Sequence, residues 1–538
     1  MLEWRGIAVR GAVSGIALIS GTIAAPSAAE PAAATVENGR LAGLTETGVE
    51  RFLGIPFAAP PVGDLRWRAP QPVEDWQGIR DAKEHGFDCE QAPVPGIAAP
   101  LGAPLSEDCL YLNVWKPAEV APGEKLPVMV WIHGGGFVNG GASPEVFDGR
   151  YFARNDIVVV GVNYRLGRFG FFAHPALTAE NSDDGFLGNY GLMDQVAALQ
   201  WVKRNIAAFG GDPERITIFG ESAGGMSVNF LLTSPLSRDL IDGAIVQSGG
   251  GRGNIAGEIR VRQSAPGDGS LEATGLAFAQ AHGIDGTGPA ALEQLRALPA
   301  NEIVGGLNMF NMARQSATYG GPAIDGRLVV EYPDVAFAAG RWSNVPVMVG
   351  ATSDDIGSFP ASIPAEAWEK FGDRSGAAQE AFAAEEADQQ QVMKSLGQVW
   401  GMIEPARWIA ETISAQGTPA YAFRFGYVAE SERAPSVRGA RHASDVPFAM
   451  GTVTERYGAK ATDADIAMGQ AMNAYWGNFA RTGDPNGPGL PAWPRYSPQD
   501  DLIMHLGPND LPATGEDPRK QQLDLVAYAR SLLSRQSD

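Results

Sequence analysis

The chain has 538 residues, of which 44% are hydrophobic and 19% charged, so it is long enough to bury a large core without a metal or disulfide framework. Its 62 acidic residues outnumber 41 Lys and Arg residues, which gives a net charge of −21. This charge argues against nucleic acid or an anionic membrane surface as the main partner, because both bind a basic surface.

The first 29 residues are typical of a secretory signal peptide. Two arginines precede an apolar stretch over residues 12–25, and three small residues follow at 27–29. A membrane anchor is the alternative, but this stretch is shorter than the ~20 residues that span a bilayer. Later apolar runs are broken by Gly, Asn or charge, so no membrane span is predicted. We therefore expect a secreted or periplasmic protein in which residues 30–538 form a single domain.

Beyond the N-terminus, the sequence predicts an α/β fold with a β-rich first part. Apolar runs without strict alternation are typical of strands buried on both faces of a sheet. They occur at residues 49–57, 109–115, 127–132, 156–162, 215–219, 244–246 and 345–349. Helices are expected at 192–209, 271–307 and 377–396, and a mobile loop at 251–270. This alternation indicates a large, mostly parallel central sheet with helices on both faces.

The most informative motif is Gly-Glu-Ser-Ala-Gly at residues 220–224, directly after a β-branched run. Glycines on both sides allow a tight strand-to-helix turn that exposes the hydroxyl of Ser222. The N–H of Ala223 would then lie at a helix N-terminus, where it can stabilise an oxyanion. A turn with a solvent-facing serine is the alternative, which the preceding strand disfavours.

A second motif, His-Gly-Gly-Gly-Phe at residues 133–137, follows the apolar strand 127–132. Glycines leave backbone N–H groups unshielded, so a substrate oxygen can approach them closely. Together with Ala223 they would complete an oxyanion hole with three donors. A phosphate cradle is disfavoured because no Lys-Ser/Thr follows the glycines.

Chain order narrows the choice of general base. In hydrolases with a Gly-x-Ser-x-Gly turn, the acid and then the histidine follow the serine. His282 comes before the candidate acid strand, and His505 is flanked by apolar residues, which is typical of a packed strand. His442 lies in a loop and is therefore the predicted base. Two candidate acids, Asp354 and Asp355, follow strand 345–349, where a sheet presents catalytic groups.

Further motifs place the sequence in a family. They are Phe-Gly-Gly-Asp-Pro at 209–213 before the serine motif, Glu-Asp-Cys-Leu-Tyr-Leu-Asn-Val at 107–114, Gly-Ile-Pro-Phe at 54–57, Leu-Arg-Trp at 65–67, Asn-Tyr-Arg-Leu-Gly at 163–167 and Asn-Tyr-Gly-Leu at 189–192. With them the chain resembles the type-B carboxylesterases, which include cholinesterases and bacterial para-nitrobenzyl esterases. The resemblance extends from about residue 35 to residue 535. It implies an α/β-hydrolase fold and a serine carboxylic-ester hydrolase that needs no cofactor or metal.

The resemblance also implies roles for individual residues. A nucleophile, a base and an acid would cleave a small-molecule ester through an acyl-enzyme. Nothing in the sequence indicates an oligomeric state. The implied residues are the triad Ser222, His442 and Asp355, the oxyanion donors Gly135, Gly136 and Ala223, the supporting buried pair Glu221 and Ser248, and the disulfide Cys89–Cys109.

Two departures from the family pattern matter. The usual acid is Glu in an Asp-Glu-Gly run, whereas this chain has Asp355 followed by Ile356. Because Asp is one methylene shorter, its loop must approach His442 more closely, and Asp354 remains the alternative acid. In addition, no aromatic residue lies between Cys89 and Cys109, where cholinesterases bind a quaternary ammonium by cation–π contact. This absence argues against choline esters as substrates.

Two other functions compete with a general esterase. One is a narrow-specificity hydrolase of a multi-ester natural product, a carbamate or an amide. The sequence features above fit this function and a general esterase equally well. The other is a non-catalytic binding relative, which typically lacks the serine, whereas this chain keeps Ser222, His442 and three adjacent glycines. The two cysteines and six histidines show no metal-ligand spacing.

Overall fold

The computed structural model describes residues 32–94, 99–253, 258–263, 269–357, 359, 364–384, 388–507 and 512–537. The predicted signal peptide and part of the predicted mobile loop 251–270 lie outside these residues. The strands are β1 (Ala33–Val36), β2 (Gly39–Ala42), β3 (Leu44–Glu46), β4 (Val49–Pro56), β5 (Ile79–Asp81), β6 (Asp88–Cys89), β7 (Leu105–Ser106), β8 (Tyr111–Pro117), β9 (Leu126–Ile132), β10 (Val158–Val162), β11 (Gly211–Glu221), β12 (Gly243–Gln247), β13 (Val347–Thr352), β14 (Ala420–Phe425), β15 (Leu502–Leu506) and β16 (Ala513–Glu516).

Helices connect most of the central strands. They are α1 (Arg150–Ala153), α2 (Gly167–Gly170), α3 (Pro175–Glu180), α4 (Tyr190–Asn205), α5 (Ala223–Thr233), α6 (Leu271–Ala281), α7 (Pro289–Arg296), α8 (Ala300–Val304), α9 (Pro333–Ala338), α10 (Pro364–Glu369), α11 (Ser375–Ala383), α12 (Gln389–Gln398), α13 (Glu404–Ala415), α14 (Val446–Met450), α15 (Val453–Tyr457), α16 (Asp463–Thr482) and α17 (Lys520–Ser537). Among the residues described above, no helix is both long and apolar enough to cross a bilayer.

The main sheet has eleven strands in the order β16-β15-β14-β13-β12-β11-β9-β10-β8-β4-β3. The block from β10 to β15 is parallel throughout. The strands at its two edges are antiparallel, namely β8, β4 and β3 on one side and β16 on the other. The predicted large, mostly parallel sheet with a β-rich N-terminal part is therefore confirmed.

The sheet separates two hydrophobic cores because side chains along a strand alternate between its faces. In β9, Val128 and Val130 join a core that also includes residues of α4, α5 and α13. Met129 and Trp131 of the same strand point the other way, into a core with residues of α14 and α16. Both faces of the sheet are thus covered, as the continuous apolar runs predicted.

Two details differ from the sequence predictions. Residues 377–396 were expected to form one helix, but α11 and α12 divide them. A new helix begins because the side chain of Asp388 caps α12, accepting a hydrogen bond from Gln391 N–H at 2.9 Å. The sequence analysis also missed β14, whose Arg424 is buried in an ion pair with Asp517 at 2.8 Å.

Candidate active site

Ser222 occupies the sharp turn between β11 and α5. Its φ of 56° is positive, a strained conformation for a residue with a side chain. Two backbone hydrogen bonds hold the turn, one from Ser222 N–H to Gln247 O at 3.0 Å and one from Met226 N–H to Ser222 O at 2.8 Å. A Cβ on Gly224 would overlap the carbonyl oxygen of Ile132, so α5 packs against β9 only because glycine stands there.

His442, which is half-buried, and Asp355, which is buried, form a hydrogen-bonded pair. The Nδ1–H of His442 donates to Asp355 Oδ1 at 2.6 Å. The other carboxylate oxygen accepts from Ser248 Oγ–H at 2.7 Å and from Thr352 N–H at 3.0 Å, while Ile356 N–H donates to Oδ1 at 2.7 Å. Both oxygens of this carboxylate are therefore hydrogen-bonded, although only 1% of the residue is exposed.

The shorter aspartate reaches the imidazole because two loops are joined along their backbones. These are the acid loop, residues 353–357, and the histidine loop, residues 439–445. Asp354 N–H donates to Ala440 O at 2.9 Å, and Ala440 N–H donates to Ser353 Oγ at 2.9 Å. This pairing provides the close approach that an aspartate at this position requires.

Asp354, the alternative acid, faces away from the imidazole. Its Oδ1 accepts hydrogen bonds from Lys394 Nζ at 2.8 Å and from Gln398 Nε2 at 2.7 Å, both on α12. Adjacent residues of the acid loop thus point in different directions. Asp355 is the one that contacts His442.

Glu221 and Ser248, the predicted supporting pair, contact different partners. Glu221 Oε1 lies 3.2 Å from His442 Nε2, so this carboxylate faces the nitrogen that Asp355 does not bind. Ser248 instead donates its hydrogen bond to Asp355. The imidazole of His442 is therefore flanked by one carboxylate on each side.

These contacts move the pKa values of the three groups in different directions. Burial raises the pKa of Glu221 to about 8. Burial opposes ionisation of Asp355 as well, but the positive charge and hydrogen bond of His442 outweigh it and lower the pKa of Asp355. For His442, burial lowers the pKa, yet the negative charges of Glu221 and Asp355 together raise it to about 9. Asp355 is thus the ionised partner of the histidine at neutral pH.

The sequence analysis missed a further carboxylate beside the histidine. Burial raises the pKa of Asp445 to about 6, and its charge also acts on His442. Gln247 Nε2 donates to Asp445 Oδ2 at 2.7 Å, and Gln247 Oε1 accepts from Trp476 Nε1–H at 3.1 Å. The spacing of three residues from His442 could have pointed to Asp445, but no local pattern marks Gln247.

The glycine loop, residues 133–140, lies against the serine turn. A Cβ on Gly134 would be 3.0 Å from the Cβ of Ser222, and one on Gly136 would be 3.3 Å from the Sδ-bound methyl of Met312. Of the three predicted oxyanion donors, Gly135 and Gly136 follow Gly134 in this loop, and Ala223 follows Ser222 at the first position of α5.

The two cysteines, and the two other histidines that follow Ser222 in the chain, occupy other environments. Cys89 and Cys109 form a disulfide with an S–S distance of 2.07 Å. Ring nitrogens of His282 and His505 hydrogen-bond to the main-chain oxygens of Phe278 and Glu516, in α6 and at the β15–β16 pair. Within the described part of the chain, no three His, Cys, Asp or Glu side chains are grouped as a metal site would require.

Comparison with known proteins agrees with this architecture. The model of the carboxylesterase family matches residues 30–396 and 376–526. Fumonisin B1 esterase of Sphingopyxis macrogoltabida is 35% identical over 522 residues, which cover 91% of each chain. Para-nitrobenzyl esterase of Bacillus subtilis (strain 168) is 34% identical over 478 residues, covering 86% of this chain and 92% of that one.

A solved structure of PNB esterase superposes with a TM-score of 0.75 at 32% identity, covering 92% of this chain and 99% of that chain. Family, relatives and fold extend over the same length of sequence. This chain belongs to the carboxylesterase family and is a carboxylic ester hydrolase with the α/β-hydrolase fold that its sequence predicted.

Proposed function

We propose that this protein is a serine esterase that acts through an acyl-enzyme on Ser222, with His442 as general base and Asp355 as the acid that orients it. The observation that carries the proposal is the 2.6 Å hydrogen bond from His442 Nδ1–H to Asp355. In the neutral imidazole, this bond selects the tautomer whose Nε2 carries the lone pair that accepts a proton. Nε2 faces Glu221, the residue directly before Ser222.

In the first step His442 Nε2 takes the proton of the Ser222 hydroxyl while Oγ attacks the ester carbonyl carbon. The developing oxyanion accepts hydrogen bonds from the backbone N–H groups of Gly135, Gly136 and Ala223. The imidazolium then gives its proton to the departing alcohol. The acyl group remains bound to Ser222 as an ester. Water repeats the sequence, releasing the carboxylic acid and the free serine.

The substrate is a small-molecule ester with an apolar group next to the glycine loop. Met309 and Met312 lie beside Gly136, with nearest approaches of 3.6 and 3.3 Å to the position of a Cβ there. Methionine side chains are unbranched and adaptable, so they accommodate alkyl and aryl groups of different shapes. This surface supports hydrolysis of simple p-nitrophenyl esters.

A narrow-specificity esterase is the second candidate function. Fumonisin B1 esterase, a relative that is 35% identical, is named for one compound and not for a broad class of esters. Similarity to this relative supports an enzyme that is specific for one complex ester. Such an enzyme would hydrolyse p-nitrophenyl esters only slowly. A chain-length series of substrates separates this candidate from the first.

Export to an oxidising compartment is part of the proposal. It is supported by the signal-peptide pattern of residues 1–29 and by the disulfide, since disulfides persist mainly outside the cytosol. Expression of the full chain in a bacterium should give a mature protein in the periplasm or medium. Its N-terminal sequence, read by Edman degradation, should begin near residue 30, whereas an uncleaved cytosolic product would contradict export.

The catalytic assignment is tested with residues 30–538 and the substrates p-nitrophenyl acetate, butyrate and octanoate. Replacing Ser222 with Ala should lower kcat by up to about 10⁶-fold, and Asp355→Asn by about 10⁴-fold. The matched controls are Ser436→Ala, at an exposed serine, and Asp354→Asn, whose side chain bonds to α12. Both controls should remain near wild type.

Two results would overturn the assignment. Turnover retained in a folded Ser222→Ala variant would exclude the serine mechanism. A loss of activity in Asp354→Asn that equals the loss in Asp355→Asn would exclude the proposed acid. No turnover of any of the three esters by the folded wild type would favour the narrow-specificity candidate.

A further inference from the structure

Two buried side-chain amides, Gln91 and Asn139, bind the far end of the glycine loop and join it to neighbouring segments. We propose that they are positioning residues that fix the direction of the oxyanion donors, above all the N–H of Gly136. The inference rests on the proposed function of that loop in binding the oxyanion. It adds residues that do not touch substrate and that lie outside the motifs of the sequence.

Gln91 binds both main-chain groups of one loop residue. Its Oε1 accepts from Gly140 N–H at 2.8 Å, and its Nε2 donates to Gly140 O at 2.7 Å. The same Nε2 donates to Cys89 O at 2.9 Å. The end of the glycine loop is therefore tied to the backbone beside the disulfide, and Gln91 is only 7% exposed.

Asn139 joins three segments that are distant in sequence. Its Nδ2 donates to Ala92 O at 2.8 Å, and its Oδ1 accepts from Met309 N–H at 2.9 Å. These partners are 47 and 170 residues away along the chain. Since 99% of Asn139 is buried, loss of the bond from Met309 N–H would leave Oδ1 unpaired, whereas Nδ2 also donates to Gln91 Oε1 at 3.4 Å.

The backbone transmits this fixation to the donors. Asn139 N–H donates to Gly135 O at 2.9 Å, and Val138 N–H donates to the same oxygen at 3.2 Å. The carbonyl of Gly135 and the N–H of Gly136 belong to one planar trans peptide and point in opposite directions. Holding this carbonyl inside the loop therefore turns the N–H of Gly136 outward.

Glycine is required at this peptide for two reasons. Gly135 has a φ of 109°, and a Cβ there would overlap the carbonyl oxygen of Asn139. The backbones at positions 135 and 139 are thus in direct contact, so a shift of Asn139 is passed on to Gly135. The two amides and this contact form one continuous support behind the donors.

The effect on catalysis follows from preorganisation. Donors that are already aimed at the oxyanion stabilise the transition state without reorganising, whereas a loosened loop must be reordered in every turnover. The ground-state ester carbonyl carries less charge and depends less on these donors. Weakening the support should therefore lower kcat more than it raises KM.

Asn139→Asp and Gln91→Glu test the proposal with little change in side-chain volume. Each keeps an acceptor oxygen, toward Met309 N–H or Gly140 N–H, and replaces the donor nitrogen with an oxygen. We expect kcat for p-nitrophenyl butyrate to fall about 10- to 100-fold, with KM within about twofold of wild type. Asn301→Asp, at an exposed asparagine, is the matched control and should have no effect.

A pair of inhibitors separates positioning from general loosening of the fold. An alkyl trifluoromethyl ketone forms a hemiketal with Ser222 and places an oxyanion among the donors, whereas the alcohol with the same chain does not. The inhibition constant of the alcohol divided by that of the ketone should fall by the same factor as kcat, because the ketone alone depends on the donors. The acidic limb of the pH–kcat/KM profile should not move, because His442 is untouched.

The proposal is overturned if either variant, folded by circular dichroism, keeps the wild-type ratio of inhibition constants. An equal weakening of ketone and alcohol is one way in which the ratio is kept, and it would indicate only a loosened fold. Failure of the proposed function would look different, since wild-type turnover would be absent or would survive in Ser222→Ala. The two near-isosteric variants act from separate segments, so one remains informative if the other does not fold.

Discussion

The imidazole of His442 meets a carboxylate on each side, and the two carboxylates differ in their surroundings. Asp355 accepts four hydrogen bonds from His442, Ser248 and two backbone N–H groups, which favours its ionised form. Burial instead raises the pKa of Glu221 to about 8. Paired acids with separated pKa values are typical of divided roles. In the proposed mechanism Asp355 orients the base, and Glu221 adjusts the proton affinity of the base.

Glu221→Gln should therefore shift the pH dependence of the enzyme. Glu221 is one of the groups whose negative charge raises the pKa of His442, against the opposing effect of burial. Removing that charge lowers the pKa, so neutral His442, the form that acts as base, persists to lower pH. The acidic limb of the kcat/KM profile for p-nitrophenyl butyrate, measured from pH 5 to 10, should move toward lower pH.

Glu302→Gln, at an exposed glutamate of α8, is the control for this measurement and should leave the profile in place. An acidic limb that stays fixed in Glu221→Gln would show that Glu221 is already neutral where the histidine titrates. The remaining carboxylate near His442, Asp445, would then be the group to replace next.

At the same scale, sequence features predicted some of the candidate site residues and left others undetermined. Ser222 and His442 could be predicted because a turn motif and chain order are local or ordinal features. The choice between Asp354 and Asp355 could not, because it depends on which way each side chain leaves one loop. Gln91 and Asn139 act through hydrogen bonds to partners 47 to 170 residues away, which no single sequence displays.

Among the elements, the central strands were predictable and their neighbours less so. Strands such as β9 and β10 are continuous apolar runs because both of their faces are buried. In β14 the buried Arg424 obscures this pattern, and only its ion pair with Asp517, 93 residues later, explains it. A charged residue with a distant partner thus conceals a core strand from sequence analysis.

The disulfide belongs to the segment that supports the glycine loop, and its loss should be measurable in two ways. It joins residues 20 positions apart, and a cross-link of that span stabilises a fold by about 3 kcal/mol through the entropy of the unfolded chain. Cys89→Ala with Cys109→Ala should therefore unfold at lower urea concentration than wild type. Because Gln91 bonds to Cys89 O, kcat should fall as well.

Dithiothreitol provides the control for the disulfide. It should lower the urea midpoint of the wild type toward that of the double variant and leave the variant unchanged. Equal midpoints of wild type and variant under oxidising conditions would contradict a stabilising cross-link. An unchanged kcat in the variant would show that Gln91 holds the loop without help from the disulfide.

For the whole molecule, the sheet explains why the site lies where it does. Ser222 and the acid loop follow β11 and β13, which are neighbours of β12 in the parallel block. Parallel strands end at the same edge of a sheet, so their loops converge there. Because helices cover both faces of the main sheet, side chains from distant parts of the sequence come together at this edge.

The charge of the whole chain, −21, adds a long-range effect that the site alone does not reveal. An anionic ester should be repelled from the protein, and salt should screen this repulsion as the Debye length falls from ~30 Å at 0.01 M to ~8 Å at 0.15 M. We expect kcat/KM for 4-acetoxybenzoate to rise about two- to fivefold over that range. The neutral 4-acetoxybenzamide, with the same scissile acetate, should change little. If salt instead slows the anion selectively, a local cationic group binds it, and that result would favour a narrow specificity for carboxylate-bearing esters over a general esterase.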